Sequence, residues 1–129
     1  MRVLVDSSAW IDYFRAGRHA EELEDLLDEG RIVTNSLIIA ELVPVLHLKR
    51  QSRLIDLLRE LECEPLLPDW DDVVRLQIIC LRHGINGVGI PDLLIAQHAM
   101  QHGLQLLARD RHFRQLARRA PLHLHTSAD

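Results

Sequence analysis

Four carboxylates in this chain stand apart from its other acids. Asp6 stops the short apolar run Val3-Leu4-Val5, and Asp110 follows another, Gln105-Leu106-Leu107. Asp92 sits directly behind Pro91 at the head of Leu93-Leu94-Ile95-Ala96, and Glu41 interrupts Leu37-Ile38-Ile39-Ala40-Glu41-Leu42-Val43. Most remaining acids, such as Glu21, Glu22, Glu24 and Asp25, belong to solvated helix faces. Taken singly, Asp6, Asp92 and Asp110 read equally as helix caps or first-turn acids, worth ~1 kcal/mol apiece. Glu41 does not: the run around it reads as a buried helix, where an unpaired carboxylate costs several kcal/mol and needs a cation, a proton or an arginine. Carboxylates brought to one cleft repel and raise each other's pKa, and a divalent cation relieves that repulsion. An all-oxygen donor set selects Mg²⁺ or Mn²⁺ over zinc and suits hydrolysis of a phosphodiester.

The elements that must position these acids alternate along the chain. A strand through Val5 leads into a helix capped at Asp6-Ser7-Ser8 and ending near Gly17. A helix of about His19 to Glu29 is stopped by Gly30, and Arg31 to Thr34 forms the second strand. Asn35 or Ser36 caps a helix to about Leu48, which Pro44 should kink; a helix over Gln51 to Glu60 follows. Cys63 to Leu66 is a weak strand suited to a sheet edge. Asp69 or Asp71 caps a helix to about Arg82, and the Gly87-Gly89 approach opens the helix Pro91 to His102, stopped by Gly103. The strand Gln105 to Leu107, a basic helix over Arg111 to Arg119 and a last strand, Leu122 to Leu124, complete the series. This alternation implies an α/β domain with a mostly parallel sheet, in which ligands bind beyond the carboxyl ends of the strands. Asp6 and Asp110 come from such ends.

Composition sets the outer bounds. A chain of 129 residues, 47% hydrophobic and 26% charged, fits one soluble domain spanning 1–129. Aromatics at 4% exclude a base-stacking platform, and a net charge of -4 excludes coating nucleic acid by bulk charge. Cys63 and Cys80 have no metal-ligand spacing and read as reduced core residues. The apolar start is too short for a signal peptide and nothing resembles a membrane span, so a cytoplasmic protein is expected.

Four blocks, in order, carry a family likeness: Val5-Asp6-Ser7-Ser8-Ala9-Trp10-Ile11-Asp12, Ala40-Glu41-Leu42, Ile90-Pro91-Asp92-Leu93-Leu94-Ile95-Ala96, and Ala108-Arg109-Asp110-Arg111-His112-Phe113. Together they resemble the PIN-domain nucleases, and within them the VapC-type toxins of bacterial toxin–antitoxin pairs. The resemblance implies a three-layer α/β/α sandwich and a Mg²⁺- or Mn²⁺-dependent ribonuclease. It implies that Asp6 and Asp92 are the principal metal ligands, that Glu41 and Asp110 complete the site directly or through water, and that Ser8 supports Asp6. It also implies a homodimer, and a cognate antitoxin that blocks the acidic cleft. The family usually has Thr or Ser two residues before the fourth acid; this chain has Ala108.

Other groups carry weaker signals. Arg109, Arg111, Arg114, Arg118 and Arg119 form a basic run that reads as a solvated helix face shared with phosphate contact, with Arg109 and Arg111 nearest the chemistry. His98 and His102 have the i, i+4 spacing of a zinc pair, but surface histidines are the commoner explanation. Trp10, Tyr13 and Phe14 read as core or protein-interface packing. A catalytically weak or inactive PIN-fold protein-binding module is the alternative function. A haloacid-dehalogenase-type phosphatase is disfavoured because Asp6-Ser7-Ser8 lacks the second aspartate.

Overall fold

The computed structural model describes residues 1–17 and 20–126. Strands β1 (Val3–Val5), β2 (Ile32–Thr34), β3 (Glu62–Cys63) and β4 (Gln105–Leu107) form one sheet in the order β3-β2-β1-β4. Every pairing is parallel. Among the described residues seven helices accompany it: α1 (Ser7–Phe14), α2 (Ala20–Asp28), α3 (Ser36–Leu48), α4 (Ser52–Glu60), α5 (Trp70–Arg82), α6 (Ile90–Gln101) and α7 (His112–Ala117). The architecture is the expected α/β/α sandwich. His19, the expected start of the second helix, lies outside the described residues.

The central strand is legible in its chemistry. Val3, Leu4 and Val5 are all fully buried, as a parallel strand covered on both faces must be. Leu4 registers with Val33 on one side and Leu106 on the other. The core is aliphatic, with Trp10 and Phe113 its bulkiest members. Trp10 stacks on Phe14 at a centroid distance of 5.8 Å, so the aromatics of α1 pack inward. Gly84 and Gly103 close α5 and α6 with φ of 65° and 61°, the left-handed region that glycine enters without strain.

The strand order places the functional region. From β1 the chain moves outward to β2 and β3, then returns to lay β4 on the opposite side of β1. The reversal lies between β1 and β4, where the connections leave in opposite directions and open a crevice beyond the carboxyl ends.

Three expectations need correction. Leu122 to Leu124 does not extend as a strand; its pairing is one parallel bridge, Leu106 to Leu124, and Pro121 just before it limits the run. Cys63 is exposed, because β3 is the sheet edge, while Cys80 is buried as expected. His98 is not a surface residue but fully buried. Helix α6 is enclosed on nearly every side, so its polar positions must find partners inside. The Asn35 amide nitrogen lies 2.7 Å from His98 Nδ1, while the Asn35 carbonyl accepts from Ile38 N and caps α3. Nδ1 therefore serves as acceptor, which fixes the neutral ring with its proton on Nε2.

Burial, then the neighbouring His102, lower the His98 pKa to about 4, against a smaller opposing pull from Glu64. The unfolded chain takes up this proton near pH 6.5, whereas the folded chain resists it. The stability from neutral His98 is thus complete above pH 6.5 and is lost as pH falls toward 4. Urea unfolding between pH 7 and 4 should show a steeper loss for the wild type than for His98→Gln. Equal slopes would mean that His98 titrates alike in both states.

Candidate functional site

Asp6 is the residue immediately after β1. Its backbone N–H donates to Leu107 O at 2.9 Å, which ties the end of β1 to the end of β4. As the N-cap of α1 it accepts on Oδ2 from Ser8 N at 3.1 Å and from Ser8 Oγ at 2.6 Å. The residue is only 2% exposed, and Oδ1 is buried without a hydrogen-bond partner. Capping thus uses one oxygen and leaves the other.

Asp92 has the same double character. Its Oδ2 accepts from Gly89 N at 3.2 Å, bracing the first turn of α6. The same oxygen lies 3.5 Å from His112 Nε2, a nitrogen that makes no hydrogen bond. His112 enters this neighbourhood because α7 starts just beyond β4. A single His after Asp110 does not disclose in the sequence which way its ring turns.

The four acids gather at the crevice. Burial pushes the Asp6 carboxyl up, the two Ser8 hydrogen bonds pull it back, and the charges of Asp92 and Asp110 push it up again. The Glu41 carboxyl is raised by partial burial first, then by Asp6 and Asp92, with a hydrogen bond from Ser7 opposing. Ser7, the first residue of α1, gave no signal of this contact in the sequence. Glu41 itself corrects the sequence reading: the residue is exposed, in the second turn of α3, and only its carboxyl is partly covered. The apolar run around it continues onto the surface, where Val45 is 52% and Leu48 82% exposed. Its interest rests on its neighbours, not on a cost of burial. Asp110 is exposed at the mouth of the crevice.

The basic residues divide. Arg109 Nε lies 3.5 Å from Asp12 Oδ2 and its Nη2 3.4 Å from Glu22 Oε2, so the guanidinium is engaged by α1 and α2. Its backbone N–H donates to Ser8 Oγ at 3.0 Å. Arg111 is exposed at the N-cap of α7. Ala108 is half-buried beside Leu106, Asp110 and Phe113.

Hard oxygen donors, one of them buried and unbonded, suit a divalent cation, and mutual repulsion among the bare acids is what such an ion removes. Among the described residues, no three His, Cys, Asp or Glu side chains form a ready-made ligand cage. His98 and His102 make no such group either; the two rings pack edge-on at 4.9 Å.

Because their folded-state pKa values are raised, ionised Asp6 and Glu41 oppose folding. Their contribution is most favourable at low pH and is lost as pH rises through the folded pKa. In EDTA at pH 7, Asp6→Asn should raise the thermal midpoint by about 2–4 °C. A lowered midpoint would show that the Ser8 bonds outweigh the repulsion.

Solved structures of similar fold come from several bacteria. VapBC2 from Rickettsia felis, bound to a DNA fragment from its promoter, has a TM-score of 0.74 at 22% identity, over 97% of this chain and 98% of that one. DNA-bound VapBC from Salmonella typhimurium has a TM-score of 0.74 at 18% identity, over 97% of each chain. VapC20 from Mycobacterium tuberculosis, described as a sarcin-ricin loop cleaving toxin, has a TM-score of 0.63 at 16% identity, over 88% of this chain and 93% of that one. No curated protein sequence matches the chain. The family model for the PIN domain matches residues 3–119, spanning β1, the acidic crevice and α7; the chain belongs to the PIN domain family.

Proposed function

We propose that this protein is a Mg²⁺- or Mn²⁺-dependent endoribonuclease, the VapC-type toxin of a bacterial toxin–antitoxin pair. The observation that carries the reading is the convergence of Asp6, Asp92, Glu41 and Asp110 on the β1–β4 crevice, with Asp6 Oδ1 buried and unbonded. Asp6 and Asp92 would hold the ion directly, and Glu41 and Asp110 would complete its shell directly or through water. A bound ion would supply positive charge against the scissile phosphate and lower the pKa of water. Ser8 keeps Asp6 in place, and Arg111 is the exposed cation available to an RNA phosphate; Arg109 is drawn off by Asp12 and Glu22. The protein's place of action would be the cytoplasm; no helix among the described residues is long and apolar enough to cross a membrane.

Two surfaces suit the partners of such a toxin. A groove between α1 and α3, lined by Ile11, Phe14, Leu42 and Val45, runs up to Glu41 and carries Arg15 and Lys49. A mainly apolar antitoxin segment with acidic flanks would fit it and reach the acidic crevice. The homodimer contact falls on α5, whose outward stripe of Trp70, Val74, Ile78 and Leu81 is 46–74% exposed. Asp71 and Arg82 stand at opposite ends of that stripe, so an antiparallel copy of α5 brings each beside its opposite charge. Sedimentation should find Ile78→Asp monomeric where the wild type is dimeric; a monomeric wild type would remove this contact.

Asp6→Ala and Asp92→Asn should each lower Mg²⁺-dependent RNA cleavage at least a thousandfold, a scale set by the loss of metal-ion catalysis, while circular dichroism stays native. Full activity in either variant, with metal controlled, would sink the assignment. A PIN-fold protein-binding module is the second reading, favoured by Ala108 where the family has a hydroxyl. Titration calorimetry with Mn²⁺ separates the two, since a pure binding module need not bind the ion.

A further inference from the structure

We propose that Arg109 is a positioning residue: by clamping Asp12 and Glu22, its guanidinium keeps its own backbone N–H on Ser8 Oγ and so fixes which oxygen of Asp6 is left for an ion. This inference rests on the metal-site reading above. The Ser8 hydroxyl has one proton to give and two lone pairs to share. The Arg109 N–H, 3.0 Å away, takes a lone pair. The hydroxyl proton is thereby directed to Asp6 Oδ2 at 2.6 Å, the oxygen that also accepts from Ser8 N. Both bonds fall on Oδ2 and none on Oδ1. A carboxylate free to turn about its last torsion would present either oxygen; this relay removes the choice.

What holds the relay is less obvious, because Arg109 lies in irregular chain between β4 and α7, with no ladder to fix its N–H. Its side chain supplies the anchor. The contacts to Asp12 and Glu22 are long, at 3.5 and 3.4 Å, but the three side chains are only 24%, 31% and 11% exposed, which limits solvent screening. His125 Nε2 also approaches Glu22, at 3.5 Å from Oε1. The clamp therefore gathers α1, α2 and the segment after β4 around one guanidinium.

A second feature points the same way. After α1 the chain reverses through Ala16 in a left-handed conformation, φ 51°, and Gly17 comes to lie against the Asp12 carboxylate. A Cβ at residue 17 would overlap that carboxylate and force it to move. The absence of a side chain at Gly17 lets Asp12 stand where Arg109 meets it. Gly17→Ala thus disturbs the clamp without altering Arg109 or the acidic crevice.

The test uses the full-length protein, purified free of metal, with Mn²⁺ as the probe. Arg109→Met and Ser8→Ala should each weaken Mn²⁺ binding in calorimetry by roughly tenfold, the size typical of losing a group that orients a ligand. The double variant should bind no more weakly than Ser8→Ala alone, because both act through one hydroxyl. Gly17→Ala should weaken binding in the same direction, and Arg109→Lys should recover part of the loss. In the metal-free protein, amide exchange at residue 109 should accelerate in Arg109→Met and Gly17→Ala. Additive losses in the double variant, or unchanged affinity in Arg109→Met, would overturn the proposal. Should Arg109→Met fail to fold, Gly17→Ala decides by the same measurements. A wild type that binds no Mn²⁺ would sink the metal reading instead, leaving amide exchange at residue 109 to decide whether the clamp exists.

Discussion

A carboxylate buried at the end of the central strand is the constraint from which the rest of this structure follows. Asp6 cannot move far: its N–H is committed to β4 and one oxygen to the first turn of α1. Burial alone would favour its protonated form, and two neighbouring acids strengthen that tendency. The fold keeps the group ionisable through Ser8, which offsets part of the desolvation with two hydrogen bonds. Every element of the crevice then supplies either a brace for this carboxylate or another acid facing it. β4 contributes the carbonyl that receives the Asp6 N–H, α6 presents Asp92 at its first turn, and α3 sets Glu41 on the opposite rim.

Much of this was legible in the residue order because it depends on local rules. Val3-Leu4-Val5 reads as a strand buried on both faces, and it is the sheet's centre. Asp6 at the N-cap of α1 and Asp92 in the first turn of α6 are recognisable from their followers, and the glycines after α5 and α6 mark their ends. Capping also explains why these acids are well placed for a second role. A side chain pinned by one oxygen loses little further freedom when the other is used, so cap and ligand are compatible assignments.

The misreadings share a physical origin: each treated side-chain type as a proxy for surroundings that only tertiary packing decides. The α3 sequence is apolar nearly all round, which suggested enclosure, yet part of its surface borders an open groove and Glu41 lies there. Helix α6 carries His98 and His102, which read as surface histidines, yet the helix is enclosed, and its Gln97 and His98 bond to Asp69 and Asn35. Arg109 sits among arginines and next to Asp110, so proximity along the chain suggested substrate contact. Its guanidinium instead crosses to α1 and α2, residues some ninety positions earlier. No periodicity encodes such a partner, because the segment carrying Arg109 has no regular structure to impose one.

The distance in sequence across the crevice has a consequence for how the protein comes into being. The bond between Arg109 N and Ser8 Oγ joins residues 101 apart, and β1 has its other neighbour in β4. A ribosome delivers Asp6 about a hundred residues before the segment that braces it. Until β4 is made, β1 can pair only with β2, and Asp6 lacks both the Leu107 carbonyl and the Arg109 N–H that directs the Ser8 hydroxyl. Closing so long a loop is slow relative to local helix formation. An acidic crevice assembled in this way stays incomplete until β4 and the segment after it have been made, so a chain that stops short of them carries Asp6, Glu41 and Asp92 without the brace that orders the first of these.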